Sequence, residues 1–109
     1  QVPGAAMIHV IATIKARDGQ RNTLVAAFRE ILPEVRVKAG CLQYALALHL
    51  PTSFPGQAQF DDNEFILIET WVDLASLKAH ITNPAYQAWY RQQWHLVSGA
   101  SMQVFEVVD

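Results

Sequence analysis

Three side chains in the stretch IETWVDLASLKAHITNPAY, residues 68–86, have the types and spacing to do chemistry. Glu69 and Trp71 alternate along a strand-like run, and His80 follows on a segment with helical spacing. Residues two apart on a strand share a face, so Phe65, Leu67, Glu69 and Trp71 are expected on one side and Ile66, Ile68, Thr70 and Val72 on the other. A carboxylate among Phe, Leu and Trp is costly unless it is paired or hydrogen-bonded. His80 borders an apolar stripe that includes Leu77 and Ile81. An imidazole there titrates near neutral pH and is suited to serve as a base. The bland alternatives stand beside this: a hydrogen-bonded structural histidine, a carboxylate paired with a cation, and a core or interface tryptophan.

The elements that must position these groups are legible from periodicity. MIHVIATIKA (7–16) alternates Ile8, Val10, Ala12 and Ile14 against His9, Ile11, Thr13 and Lys15, which predicts a strand. Residues 20–39 place Leu24, Phe28, Ile31 and Val35 at helical spacing, with Pro33 expected to kink that helix and Gly40 to end it. LQYALALHL (42–50) predicts a second strand with Leu42, Tyr44, Leu46, Leu48 and Leu50 on one face. A long Pro/Gly-rich connection, 51–63, leads to the third strand at 64–72. Asp73 is placed to cap a helix over 74–82, and Asn83 to cap another with Pro84 at its first position. That last helix carries Tyr86, Trp89, Tyr90 and Trp94 and is expected to run to Gly99, before a final strand at 101–108. The order is β-α-β-β-α-β, an α+β ferredoxin-like arrangement. Residues 1–6 read as a disordered or vector-derived lead-in, and 7–109 as a single domain.

Bulk properties narrow the classes. Charged residues are 17% of the 109-residue chain while apolar ones are 51%, against a usual charged share of roughly 25%. In so short a chain this predicts apolar surface covered by another subunit, hence a homodimer packing sheet to sheet. A net charge of -2 with no basic run argues against nucleic acid. No apolar stretch approaches the roughly 20 residues of a bilayer span. The lone Cys41 has no intrachain partner, so the expected setting is the reducing cytoplasm. The four histidines form no H-x-x-x-H or H-E-x-x-H pattern, so no metal site is expected. Neither a glycine-rich phosphate loop nor a G-x-S-x-G elbow occurs.

Together, the βαββαβ order, Glu69-x-Trp71 on the third strand, His80 on the next helix and Asn83-Pro84-x-Tyr86 resemble the antibiotic biosynthesis monooxygenase domain over residues 7–108. MIHVIATIKARDGQ, the helix with Pro33, AGCLQYAL and the 51–63 insertion are similar to its bacterial quinol monooxygenase branch. The resemblance implies a homodimer whose sheets form a dimeric α/β-barrel, with an apolar pocket between sheet and helices. It also implies oxidation of a small aromatic quinol or phenol by O2 with no metal, flavin or other cofactor. His80 would be the base or orienting group, Glu69 would fix its tautomer or a bound water, and Trp71, Tyr86, Tyr90 and Leu67 would wall the substrate.

Other branches fit less well. The haem-degrading one uses a first-strand Asn, absent here, and a Trp and a His where this chain has His80 and Tyr90. The antibiotic-tailoring branch has an Asn where Leu67 stands, although Trp71 matches its pocket Trp. Two alternatives remain: an enzyme acting on a small carbonyl or sugar-phosphate compound, for which the relevant helices offer only Lys78 and Arg91, or a non-catalytic dimeric binding module.

Overall fold

Alternation of branched apolar residues with polar ones makes β1 (Ile8–Ala16) a strand with one buried face, and Ile8, Val10, Ala12, Ile14 and Ala16 are all buried. The computed structural model describes residues 6–109; of the expected lead-in, residues 1–5 lie outside the described residues. β1 is followed by α1 (Arg21–Arg36), β2 (Cys41–Ala47), β3 (Glu64–Trp71), α2 (Leu74–Ile81), α3 (Pro84–Gln92), a 3-10 turn (Trp94–Leu96) and β4 (Val97–Glu106). The sheet order is β2-β3-β1-β4, each neighbour antiparallel. β1 and β2 therefore run parallel on either side of β3, joined by α1, which is the split βαβ of an α+β ferredoxin-like fold.

The helices cover one sheet face. Leu24, Phe28, Ile31 and Val35 of α1 meet Ile8, Val10, Phe65, Leu67 and Trp71, and Leu77 of α2 joins them. Phe28 is fully buried at the centre, edge-on to Phe65 at 5.6 Å, to Trp89 at 4.9 Å and to Tyr90 at 6.3 Å. The two short helices start where their caps dictate. Asp73 accepts from the Ser76 backbone N–H at 2.8 Å, and Asn83 from that of Tyr86 at 3.0 Å, with Pro84 at the first helical position.

Three boundaries differ from the periodicity. α1 continues through Pro33 but stops at Arg36, and Gly40 (φ +80°) belongs to the following turn, where a side chain would strike Ser76 and Val72. β2 ends at Ala47, and an irregularity between Cys41 and Gln43 breaks its alternation. Of the five residues expected on its inner face, Tyr44 is buried and Leu46 partly so, while Leu42, Leu48 and Leu50 are exposed. The last helix does not reach Gly99: α3 ends at Gln92, and Gly99 pairs with Lys15 inside β4. Trp94, on the intervening turn, is consequently exposed.

Candidate active site

β3 is an inner strand, and its register seats Glu69 between Tyr44 of β2 and Val10 of β1. The residue is only 5% exposed. Its Oε1 accepts a hydrogen bond from Trp71 Nε1 at 2.9 Å, the natural partner two residues along the same strand face. Burial pushes the carboxyl above its usual range, and the Trp71 N–H offsets part of that rise. Oε2 takes no hydrogen bond from the described residues.

His80 occupies the last turn of α2 and is 2% exposed. Aromatic rings hold it: Trp71 at 5.0 Å and nearly parallel, Tyr86 at 4.3 Å, and Tyr44 edge-on at 5.6 Å. Its Nδ1 lies 2.9 Å from Nζ of Lys38, in the turn after α1. Burial, and secondarily the Lys38 charge, bring the His80 pKa down to about 4, so the ring is neutral at neutral pH. Tyr86 is pushed up to about 12 by burial, and Tyr44 rises further for the same reason.

A cavity of about 310 Å³ lies between the sheet and α2 and α3, bordered by Ala12, Ile14, Leu67, Glu69, His80, Ile81, Tyr86, Tyr90, Ala100, Ser101 and Met102. The space exists because Ala12 and Ala100 put small side chains on β1 and β4, where Leu67 and Met102 flank Ala12 in register. Its size suits one small aromatic molecule, at the lower end of the roughly 300–1,000 Å³ of ligand pockets. The lining is apolar apart from Glu69, His80, Ser101 and the two phenols, with no Lys or Arg.

Leu67, Glu69, His80, Tyr86 and Tyr90, expected from the sequence, all border this one cavity. Trp71 does not: it is fully buried and packs behind His80. Glu69 does not reach His80 by a hydrogen bond, as its expected tautomer-fixing role would need. It holds Trp71, and Lys38 occupies the imidazole nitrogen. Lys38 is not among the site residues expected from the sequence, although its spacing carries a signal. It continues the spacing 24, 28, 31, 35 of the α1 apolar face by three residues, so its aliphatic stem follows the core while its charge must find a partner. Strand periodicity marks Tyr44 only as an apolar-face residue; its buried hydroxyl has no hydrogen bond of good geometry.

Buried Glu69 and His80 act oppositely on stability. For His80 the folded-state pKa, about 4, lies below the ordinary 6.5, so between those values the unfolded chain binds a proton that the folded chain does not. Its contribution is full above pH 6.5 and is lost as pH falls toward 4. The raised Glu69 works the other way: its contribution is full below about pH 4.5 and is lost as pH rises. His80→Gln is therefore expected to flatten the acid-side fall in urea-unfolding stability between pH 6.5 and 4. An unchanged slope would show that His80 is not buried neutral.

Among the described residues no group of three or more His, Cys, Asp or Glu is placed to hold a metal ion, and no helix is long and apolar enough to cross a membrane. The fold matches known structures over most of its length. PA3566 of Pseudomonas aeruginosa superposes with a TM-score of 0.75 at 27% identity, covering 96% of this chain and 97% of that one. SO0527 of Shewanella oneidensis gives 0.77 at 22% identity, covering 95% and 93%.

The sequence profile of the antibiotic biosynthesis monooxygenase family matches residues 7–92. The chain belongs to that family, and its function is of the monooxygenase type. The Escherichia coli K12 protein named probable quinol monooxygenase YgiN is 33% identical over 85 residues, covering 76% of this chain and 81% of that protein.

Proposed function

We propose that this protein oxidises a small aromatic quinol or phenol with O2, using no metal or organic cofactor. One observation carries the reading: a buried carboxylate, Glu69, and a neutral imidazole, His80, border the same small apolar cavity walled by Tyr86 and Tyr90. The relative named probable quinol monooxygenase supports the same chemistry. Ground-state O2 is a triplet and does not react in one step with a closed-shell molecule. A quinol overcomes this once deprotonated, because the electron-rich anion gives O2 one electron and the radicals then combine or separate. The protein's tasks are to take a proton, stabilise the oxyanion, and exclude water. The absence of Lys and Arg from the cavity wall disfavours a phosphorylated substrate, which would seek a cation.

The active form in this reading is a cytoplasmic homodimer. Met102 and Val104 of β4 and Phe105 on its reverse face are each nearly half exposed, and Met102 borders the cavity. A second copy over β4 would cover this apolar surface and close the cavity mouth. Light scattering after size exclusion tests it, with a monomer at micromolar concentration as the contrary result.

His80→Ala is expected to cut quinol-dependent oxygen uptake by about 10²–10³, the usual cost of losing a donor to a developing oxyanion. A folded His80→Ala protein that turns over quinol at the wild-type rate would overturn the assignment of His80.

A further inference from the structure

We propose that Lys38 is a positioning residue that fixes His80 as a hydrogen-bond donor into the cavity and thereby leaves Glu69 to remove the substrate proton, an inference that rests on the quinol-oxidising reading of this cavity. A neutral imidazole carries one N–H, and the partner of one nitrogen decides which nitrogen holds it. An ammonium has three donors and no acceptor. With Lys38 Nζ 2.9 Å from Nδ1, the ammonium donates and Nδ1 presents its lone pair, so the ring proton sits on Nε2. Trp71 and Tyr86 hold the plane of the ring, and Nε2 has no hydrogen-bond partner among the described residues.

The opposite tautomer would need Lys38 as a free amine; burial lowers the lysine pKa in that direction, and two neighbours oppose it. Lys38 borders a second cavity, of about 470 Å³ between α1 and α3, together with Glu34, whose charge offsets part of that lowering and favours the ammonium. The ammonium also lies 5.2 Å over the Tyr86 ring, a contact that favours a cation. The other ionisable groups nearby are Glu69 of β3, Tyr44 of β2 and Cys41 at the start of β2; Tyr44 and Cys41 are both raised by burial, hence neutral.

The proton then has a defined route. The quinol O–H bond breaks, its proton passes to Glu69 Oε2, and the carboxylate becomes a carboxylic acid. The electron pair stays on the substrate oxygen, which as an oxyanion accepts the hydrogen bond from His80 Nε2–H. One negative charge moves from Glu69 to the substrate, toward the imidazole polarised by Lys38. Net charge is unchanged, and no electron has yet left the quinol. A base at His80 would instead need an unprotonated Nε2, which this pairing denies.

Long-range ¹H–¹⁵N correlation spectra of the ¹⁵N-labelled protein test this without substrate, with His80 signals identified by their loss in His80→Gln. The wild-type ring is expected as the Nε2–H tautomer, with Nδ1 displaced from the resonance of an unbonded lone-pair nitrogen. Lys38→Met is expected to return Nδ1 to the unbonded value, raise the pH at which the ring protonates, and lower kcat for quinol roughly tenfold, as loss of one charge-assisted hydrogen bond would. Lys38→Arg is expected to retain the Nδ1 displacement. An Nδ1–H tautomer in the wild type, readable even if both Lys38 variants misfold, would overturn the proposal. So would an Nδ1 resonance that Lys38→Met fails to move. The expected spectra in a protein without quinol turnover would sustain the role of Lys38 and remove the quinol reading alone.

Discussion

Glu69→Gln is expected to reduce quinol-dependent oxygen uptake by about 10²–10⁴, the usual contribution of a positioned general base, while leaving the fold as stable as before or more so. The glutamine retains the side-chain shape and an Oε1 able to accept from Trp71 Nε1, now 2.9 Å from the carboxylate. What it lacks is the ability to take a proton. Burial makes the ionised Glu69 costly, so removing the charge relieves the fold of a desolvated anion. Loss of activity with undiminished stability separates the two roles open to this residue. A Glu69 that only anchors Trp71 would give a glutamine variant of nearly full activity, and steady-state oxygen consumption alongside urea unfolding decides between them.

Phe28→Ala is expected to cost about 3–5 kcal/mol, close to the limit of what a domain of this size survives. Phe28 has no exposed surface and meets three aromatic rings edge-on, from β3 and from α3. Its removal opens a cavity where α1, the sheet and the helix carrying Tyr86 and Tyr90 converge, and neighbours so large do not collapse into it easily. The same substitution should loosen the aromatic wall of the site, since Tyr90 leans on Phe28 at 6.3 Å. A loss under about 1 kcal/mol in denaturant titration would mean that α3 is held by something other than this cluster.

Much of this was legible because the signals were local. Period-two patterns in β1 and β3 assign Val10, Leu67, Glu69 and Trp71 to the covered face, and they lie there. The caps Asp73 and Asn83 and the helical proline Pro84 mark the starts of α2 and α3 correctly. Where the sequence misled, non-local contacts decided. The run from Trp94 to Gly99 reads as a helical continuation, yet β1 offers an open edge, and Val97–Glu106 takes it as β4. β2 reads as alternating to Leu50, but the irregularity after Cys41 and the end of pairing at Ala47 leave Leu42, Leu48 and Leu50 outside. At the site, the clustering of Glu69 with His80 follows from a strand and helix adjacent in sequence. Lys38 is 42 residues from His80, and no spacing rule links the end of α1 to the end of α2. The sequence accordingly points to Glu69, on the preceding strand, as the group that fixes the His80 tautomer or a bound water, when the group in contact with the ring is basic.

The most direct measurement is oxygen consumption by chelator-treated, colourless protein presented with monocyclic and bicyclic quinols. The expected result is uptake well above autoxidation for at least one of them, lost in Glu69→Gln and His80→Ala. Uptake equal to autoxidation across the panel, with a quinol still raising the melting temperature of the protein, would contradict oxidation and leave a cavity that only binds.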